Sequence, residues 1–541
     1  MPAYRTWLFA ALGASIGVLF FRQINTGFRL QYGDVYDGVI QAVLIGHWYK
    51  VVQGLHAWNQ PGYFFPTPDT LGYNDGFFLY GIAAIPFRAI GLDIFRAQEA
   101  VLIVLKIFGF LTMARLLERL ISPRSLASIV GAVLFTLMIG LSNQAFHGQL
   151  LSVALAPFAF SLLLDCVTCL AQPAGRFLWR WAAFMLLIGS WLITSYYIAW
   201  FFILFCFLML SVQAAFDLRT VISAAGLLLR DRGVRLIGAT TILVVALVPF
   251  GLTYGPKLAE THGHNIYNAL AYAHAITNLV NVGPRDFVWG DAFIWLQTLM
   301  PARLQGGEFS VGFTPDVLLV LGLLLASSWR NRFARLGPVL RATMLAGVIL
   351  LLVPISLHDL TPWRLVYRFI PGASGVRVIS RAWLFLVFPF SILLAVFIHR
   401  LRTKPGTRVA GLAIAALLIA SQISRNPPTD LDVDVQLKQL AMVPAPPSQC
   451  QTFFVVNHTP SWLVDDLIYG FYHDNVAAML IADRIDLPTI NGFASFLPPH
   501  WALSSIPPAT YADRVATYVD ANRIERLCSY DIDAASWNAT P

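Results

Sequence analysis

Repeated apolar runs of roughly 18–22 residues, the length that crosses a bilayer as a helix, constrain this chain more than any other feature. The first extends from about Thr6 to Phe21. Others fall near 97–120, 126–141, 150–171, 181–195, 196–215, 235–253, 312–328, 338–357, 382–399 and 409–423. In lipid every backbone N–H and C=O must be bonded inside the protein, so runs of this length predict helices. Composition agrees, since only 12% of the 541 residues are charged and 57% are hydrophobic, against about a quarter charged in soluble domains. The expected fold class is an all-α polytopic membrane protein with about eleven transmembrane helices.

The formal net charge is +8, but its distribution gives no reason to expect a nucleic-acid partner. Basic residues gather in short loops, such as Arg176 with Arg180, and Arg400, Arg402, Lys404 with Arg408. The positive-inside rule puts such loops in the cytoplasm. Arg5 precedes the first run and no small-residue cleavage site follows it, so the run reads as a retained anchor with a cytoplasmic N-terminus. Alternating sides from there leaves residues 26–96 and 254–311 as large outer loops of a membrane domain, 1–423. Residues 424–541 then form an extracytoplasmic C-terminal domain. Residues 76–92, GFFLYGIAAIPFRAIGL, tempt a further span, but crossing there would turn every basic loop outward. Pro86 and Arg88 also shorten the usable run, so a re-entrant or interfacial helix is expected.

The tail opens with a Pro-rich linker (Pro427, Pro428, Pro444, Pro446, Pro447). It continues with TFFVV as a strand and with NVAAMLIADRI and ADRVATYVDANRI as helices, a small α/β pattern. Cys450 and Cys528 flank it and are expected to form a disulfide, which requires an oxidising compartment. Cys166, Cys169 and Cys206 lie in apolar runs and read as small buried residues; a redox role for Cys166-x-x-Cys169 suits a helix end in lipid poorly.

Candidate chemistry begins at QYGDVYDGVI, residues 31–40. Asp34, Asp37 and Gln41 are spaced i, i+3 and i+7, one face of a helix starting near Val35. Val39, Val43, Leu44, Trp48 and Val51 suit an amphipathic helix lying on the membrane surface. The simpler account makes Asp34 an N-cap and Asp37 a first-turn acid. The sequel weighs toward a site: His47-Trp48-Tyr49, then a Pro-punctuated aromatic loop from Pro61 to Asp69, then Gly72-Tyr-Asn-Asp75. Asp75 is either part of that site or a cap for the 76–92 helix. Arg377 and Arg381, four apart before a span, are suited to hold a phosphate or to snorkel to headgroups. Glu308, and His147 with Gln149 at another outer turn, are candidates for the same cavity, with solvated helix ends as the plainer reading. His262, His264 and His274 lack an acid or cysteine to complete a set, so no metal site is expected.

The segment Asp34-x-x-Asp37…His47-Trp48…Phe64-Phe65-Pro66…Asp75 resembles the first outer loop of the GT-C superfamily, in a bacterial branch. Pro371-Gly-Ala-Ser-Gly-Val-Arg377-Val-Ile-Ser-Arg381 and Leu487-Pro-Thr-Ile-Asn491-Gly share the likeness, and the layout matches over essentially the whole chain. The resemblance implies a membrane glycosyltransferase that takes sugar from a polyprenyl-phosphate donor to a hydroxyl of a glycan, lipid or protein. It also implies the bacterial inner membrane, with the C-terminal domain in the periplasm. This chain spaces its acids by two residues where the superfamily has an adjacent pair, so either is open as the base.

Such a transfer needs a general base for the acceptor, for which Asp34 and Asp37 are candidates. It also needs cations at the departing phosphate, for which Arg377 and Arg381 are candidates. Gln41, His47, Asp75 and Glu308 are expected to contact substrate, and no cofactor beyond the lipid-linked donor is expected. Two other classes stay open. A lipid or glycan flippase would keep ionisable groups at mid-membrane, where Lys106 is the clearest example and the other spans are almost bare. A non-catalytic subunit of an envelope-glycan assembly complex would use the tail for docking.

Overall fold

The computed structural model of the chain describes residues 2–230, 233–300, 307–330, 336–357, 360–457, 467–504 and 508–539. Among them seven helices are long and apolar enough to cross a membrane: Ile94–Leu120, Leu126–Asn143, Gly148–Cys169, Ala174–Thr194, Tyr196–Phe216, Val234–Thr261 and Ile379–Thr403. The other four expected spans are helices too, but shorter: Ala3–Leu19, Pro315–Arg330, Pro338–Leu352 and Arg408–Ala420. At 1.5 Å per residue they reach roughly 20–26 Å, short of a hydrocarbon core of about 30 Å. Chain chemistry sets their ends. Pro354 follows Leu352 closely, and beyond Ala420 the side chains of Ser421 and Gln422 turn inward to Asp316 and Thr314. The eleven expected spans are thus seven full-length helices and four short ones.

Helix Ile379–Thr403 runs through the centre, with every side chain from Ala382 to Val396 buried. A helix apolar on all sides belongs there. Val234–Thr261 is the opposite case. Only 6% of its apolar window is buried, which suits a peripheral span facing lipid. Lys106, inside Ile94–Leu120, donates to the Thr136 carbonyl at 3.1 Å.

The segments between the long apolar helices pack on one another. Helix Phe78–Ala89 is 12 residues long with Pro86 inside it, too short to cross. Strand β1 (Leu30–Gln31) pairs antiparallel with β2 (Leu431–Asp432), tying the start of the tail to the first loop. Further on, β3 (Thr452–Val456) lies parallel to β4 (Leu527–Asp531), and β4 antiparallel to β5 (Ser536–Ala539). A disulfide joins Cys450 to Cys528. The first loop is also bonded to residues 489–491: the Phe64 N–H donates to the Asn491 carbonyl at 3.0 Å and the Phe65 N–H to Thr489 at 2.9 Å.

This packing alters the place of helix Asp37–Val52. Expected to lie on the membrane surface with a polar face in water, it is buried almost throughout from Gly38 to Trp48. Helices Phe78–Ala89, Ile94–Leu120 and Leu467–Ile485 pack against it. Its apolar residues are therefore not confined to one stripe, as a helix covered on several sides requires.

Candidate active site

The two acids of the opening motif divide their work at the first turn of helix Asp37–Val52. Asp34 Oδ1 accepts the N–H groups of Tyr36 at 2.9 Å and Gly38 at 3.3 Å, so Asp34 satisfies the exposed amides of the helix start. The fold there needs Gly33. Its φ is +111°, and a Cβ would come within 2.9 Å of the Gly38 Cα. Burial, and then the charge of Asp37, push the Asp34 carboxyl above its ordinary range, opposed by the two amides.

Asp37 itself makes no such cap. Its Oδ2 lies 3.4 Å from His147 Nδ1, and His147 Nε2 lies 2.9 Å from Glu308 Oε1. Glu308 is gripped in turn by Arg381, at 2.6 Å from Nη2 and 3.1 Å from Nε. Burial alone would push the Glu308 carboxyl up, but the Arg381 guanidinium and His147 outweigh it and hold it well below the usual carboxylate range. Four residues from four distant parts of the chain thus form one line: base candidate, imidazole, carboxylate, guanidinium. The imidazole fixes the orientation of the Asp37 carboxyl, much as a buried partner fixes a catalytic side chain.

This line borders a cavity of about 630 Å³, within the size range of small-molecule sites. Of the residues expected at a site, Asp37, Gln41, Glu308, Arg377 and Arg381 line it, together with His147 and Gln149. Arg377 is exposed, its backbone N–H donates to Tyr197 Oη at 2.9 Å, and its guanidinium lies 5.8 Å from the Tyr272 ring centre. Among the described residues no carboxylate pairs with it. Arg381, by contrast, turns Nε and Nη2 to Glu308.

Two expected contacts lie elsewhere. His47 is buried away from the cavity, with Nδ1 3.1 Å from His56 Nδ1 and Nε2 3.0 Å from the Trp58 carbonyl. It pins the loop that follows its helix, and burial pushes its ring down to about 4. Asp75 accepts the Tyr196 N–H at 2.8 Å, so it caps helix Tyr196–Phe216 rather than the helix after it. Burial pushes its carboxyl up to about 6, against the Tyr196 N–H, Arg381 and His147. Its neighbour Asn74 reaches the cavity instead. The histidines of the later loop do not converge: His264 stacks on Phe496 and His274 on Trp383.

Sequence reasoning missed the cavity's aromatic wall. Tyr472 and Phe493, stacked at 3.8 Å, come from the tail more than 400 residues after Asp37. No local pattern marks them.

No protein-family model matches the chain, and no curated protein matches it. Among solved structures, the oligosaccharyltransferase of Archaeoglobus fulgidus, tethered with an acceptor peptide containing the NVT sequon, is similar over 97% of this chain and 69% of its own. The TM-score is 0.52 and the identity 13%. The chain has a GT-C fold. ArnT from Cupriavidus metallidurans in the apo state also matches, over 98% of this chain and 93% of its own, with a TM-score of 0.45 and 10% identity. The cavity lies where the first loop, residues 146–149, the loop before helix Pro315–Arg330, the start of helix Ile379–Thr403 and the tail meet.

Proposed function

We propose that the protein is a membrane glycosyltransferase that moves a sugar from a polyprenyl-phosphate donor to an acceptor hydroxyl in this cavity. The observation that carries the proposal is the presence of Asp37 and Arg377 on the walls of one cavity, a carboxylate and a guanidinium that has no carboxylate partner among the described residues. Asp37 takes the proton of the acceptor hydroxyl as its oxygen bonds to the anomeric carbon. The bond from that carbon to the phosphate oxygen breaks, and the electron pair leaves on the phosphate, where Arg377 meets the growing charge. A phosphate is already a good leaving group, so no strong general acid is needed. His147 and Glu308 hold Asp37 in position, and Arg381 holds Glu308. The GT-C fold supports the same reaction class.

Within this proposal residues 1–423 form the membrane domain and 424–541 an extracytoplasmic one, in the inner membrane of a bacterium. The Cys450–Cys528 disulfide suits the oxidising side. The test uses purified protein in sealed proteoliposomes with radiolabelled polyprenyl-phosphate sugars and a panel of hydroxyl acceptors. A new glycoside together with free polyprenyl phosphate is the expected result. Label crossing the vesicle wall without a new glycosidic bond would instead make the protein a flippase.

A further inference from the structure

We infer that the acceptor in this cavity is a pyranose-type sugar, read by the side-chain amide of Gln41 beside Asp37. The inference rests on Asp37 being the acceptor-side base. Gln41 is only 3% exposed, yet it lines the cavity and has no hydrogen-bond partner among the described residues. An amide that opens onto a cavity without a partner in the surrounding protein is free to bond what the cavity holds. The fold makes room for this one: a Cβ at Gly148 would overlap the Gln41 amide, so glycine there keeps the amide in place. Gln149, next in sequence, lines the same cavity and is likewise without a partner among the described residues.

The chemistry of an amide selects the ligand. Each offers donors and an acceptor side by side, which a pair of neighbouring hydroxyls answers fully and a carboxylate or ammonium answers by half. Gln41 follows Asp37 by four residues, so the two side chains stand about 5–6 Å apart at their Cβ atoms on one helix face. That spacing lets one ring present its nucleophilic hydroxyl to Asp37 and another hydroxyl to Gln41. The stacked Tyr472 and Phe493 add an aromatic wall for the C–H face of the ring. A fatty alcohol brings a single hydroxyl and leaves both amides unanswered, and a serine or threonine peptide meets them only through its backbone, without the ring that the aromatic wall fits.

A donor sugar carries the same hydroxyls, but it arrives with a phosphate, and Arg377 would hold that. Saturation-transfer NMR on the full chain in lipid nanodiscs separates the two sources. The ligands are a set of methyl hexopyranosides, their monodeoxy analogues, the matching hexose 1-phosphates, N-acetylserinamide and hexanol. At least one methyl hexopyranoside should bind saturably, and at least tenfold more weakly to Gln41→Met and Gly148→Ala. Removing the hydroxyl that Gln41 reads should weaken binding to the wild type and add nothing to Gln41→Met. If Gln41→Met fails to fold, Gln149→Met at the half-buried position carries the same comparison.

The inference is overturned if no methyl hexopyranoside binds, if binding ignores Gln41→Met, or if N-acetylserinamide binds as well. It is also overturned if only the hexose 1-phosphates bind and Arg377→Gln abolishes them, which would make the sugar the donor's. The measurement needs neither donor nor turnover. Intact pyranoside binding with no transfer in proteoliposomes would therefore count against the transferase proposal alone.

Discussion

Arg381 and Glu308 close an ion pair at the cavity wall, with Nη2 2.6 Å from Oε1 and side chains only 9% and 23% exposed. Removing one partner leaves an uncompensated charge, which typically costs about 3–5 kcal/mol. Arg381→Met should accordingly lower the melting temperature markedly, whereas Arg381→Met combined with Glu308→Leu should recover part of the loss. Thermal unfolding followed in detergent measures both.

Arg377 has no such partner among the described residues, and it is the cavity guanidinium that we propose meets the donor phosphate. Arg377→Gln should lower kcat/KM for a lipid-phosphate sugar by about ten- to a hundredfold, with little effect on thermal stability, in line with a charge-assisted contact of about 1.5–3 kcal/mol. Initial rates against donor concentration give the answer.

Asp75 titrates against the fold. Its carboxyl is raised by burial from the ordinary range to about 6, so the native state holds a proton that the unfolded chain has already released. Its contribution is present in full below about pH 4 and is lost as pH rises through about 6, up to about 3 kcal/mol. Asp75→Asn keeps an acceptor for the Tyr196 N–H and removes the titration. Unfolding measured from pH 4 to 7 should flatten in the variant.

The Cys450–Cys528 disulfide closes a separation of 78 residues. Loop-closure entropy for that length corresponds to about 4.5 kcal/mol at most. Cys450→Ser with Cys528→Ser, or added reductant, should raise the susceptibility of the tail to limited proteolysis while the helices stay folded. Fragment patterns on gels report it.

How much of this was legible depended on where the cause lay. The apolar runs were readable because lipid forces helices of a set length, although Pro354 and the polar Ser421 and Gln422 cut two of them short. Asp37 and Gln41 were readable because helical spacing alone puts them on one face. Asp34 could be either cap or base until its bonds to the Tyr36 and Gly38 amides were seen. His47 read as a site residue because aromatic neighbours surround it, but its partners, His56 and Trp58, are local and fold it inward. Asp75 was one position off: it bonds to Tyr196, far along the chain, and Asn74 reaches the cavity. Tyr472 and Phe493 were invisible, since long-range packing of helix Leu467–Ile485 on Asp37–Val52 and the bonds of the first loop to residues 489–491 bring the tail over the cavity. The His147 bridge between Asp37 and Glu308 was unreadable because it joins three distant parts of the chain.

The division of labour between Asp37 and Asp34 is the centre of this account, and one comparison tests it most directly. Sugar transfer from a polyprenyl-phosphate donor is measured for the wild type, Asp37→Asn and Asp34→Asn, with folding checked by thermal melting. Asp37→Asn should lose at least about a hundredfold in kcat while staying folded, the usual share of a general base. Asp34→Asn, which still caps the helix, should stay within about tenfold of the wild type. Full activity in Asp37→Asn, or an equal loss in both variants, would contradict the account.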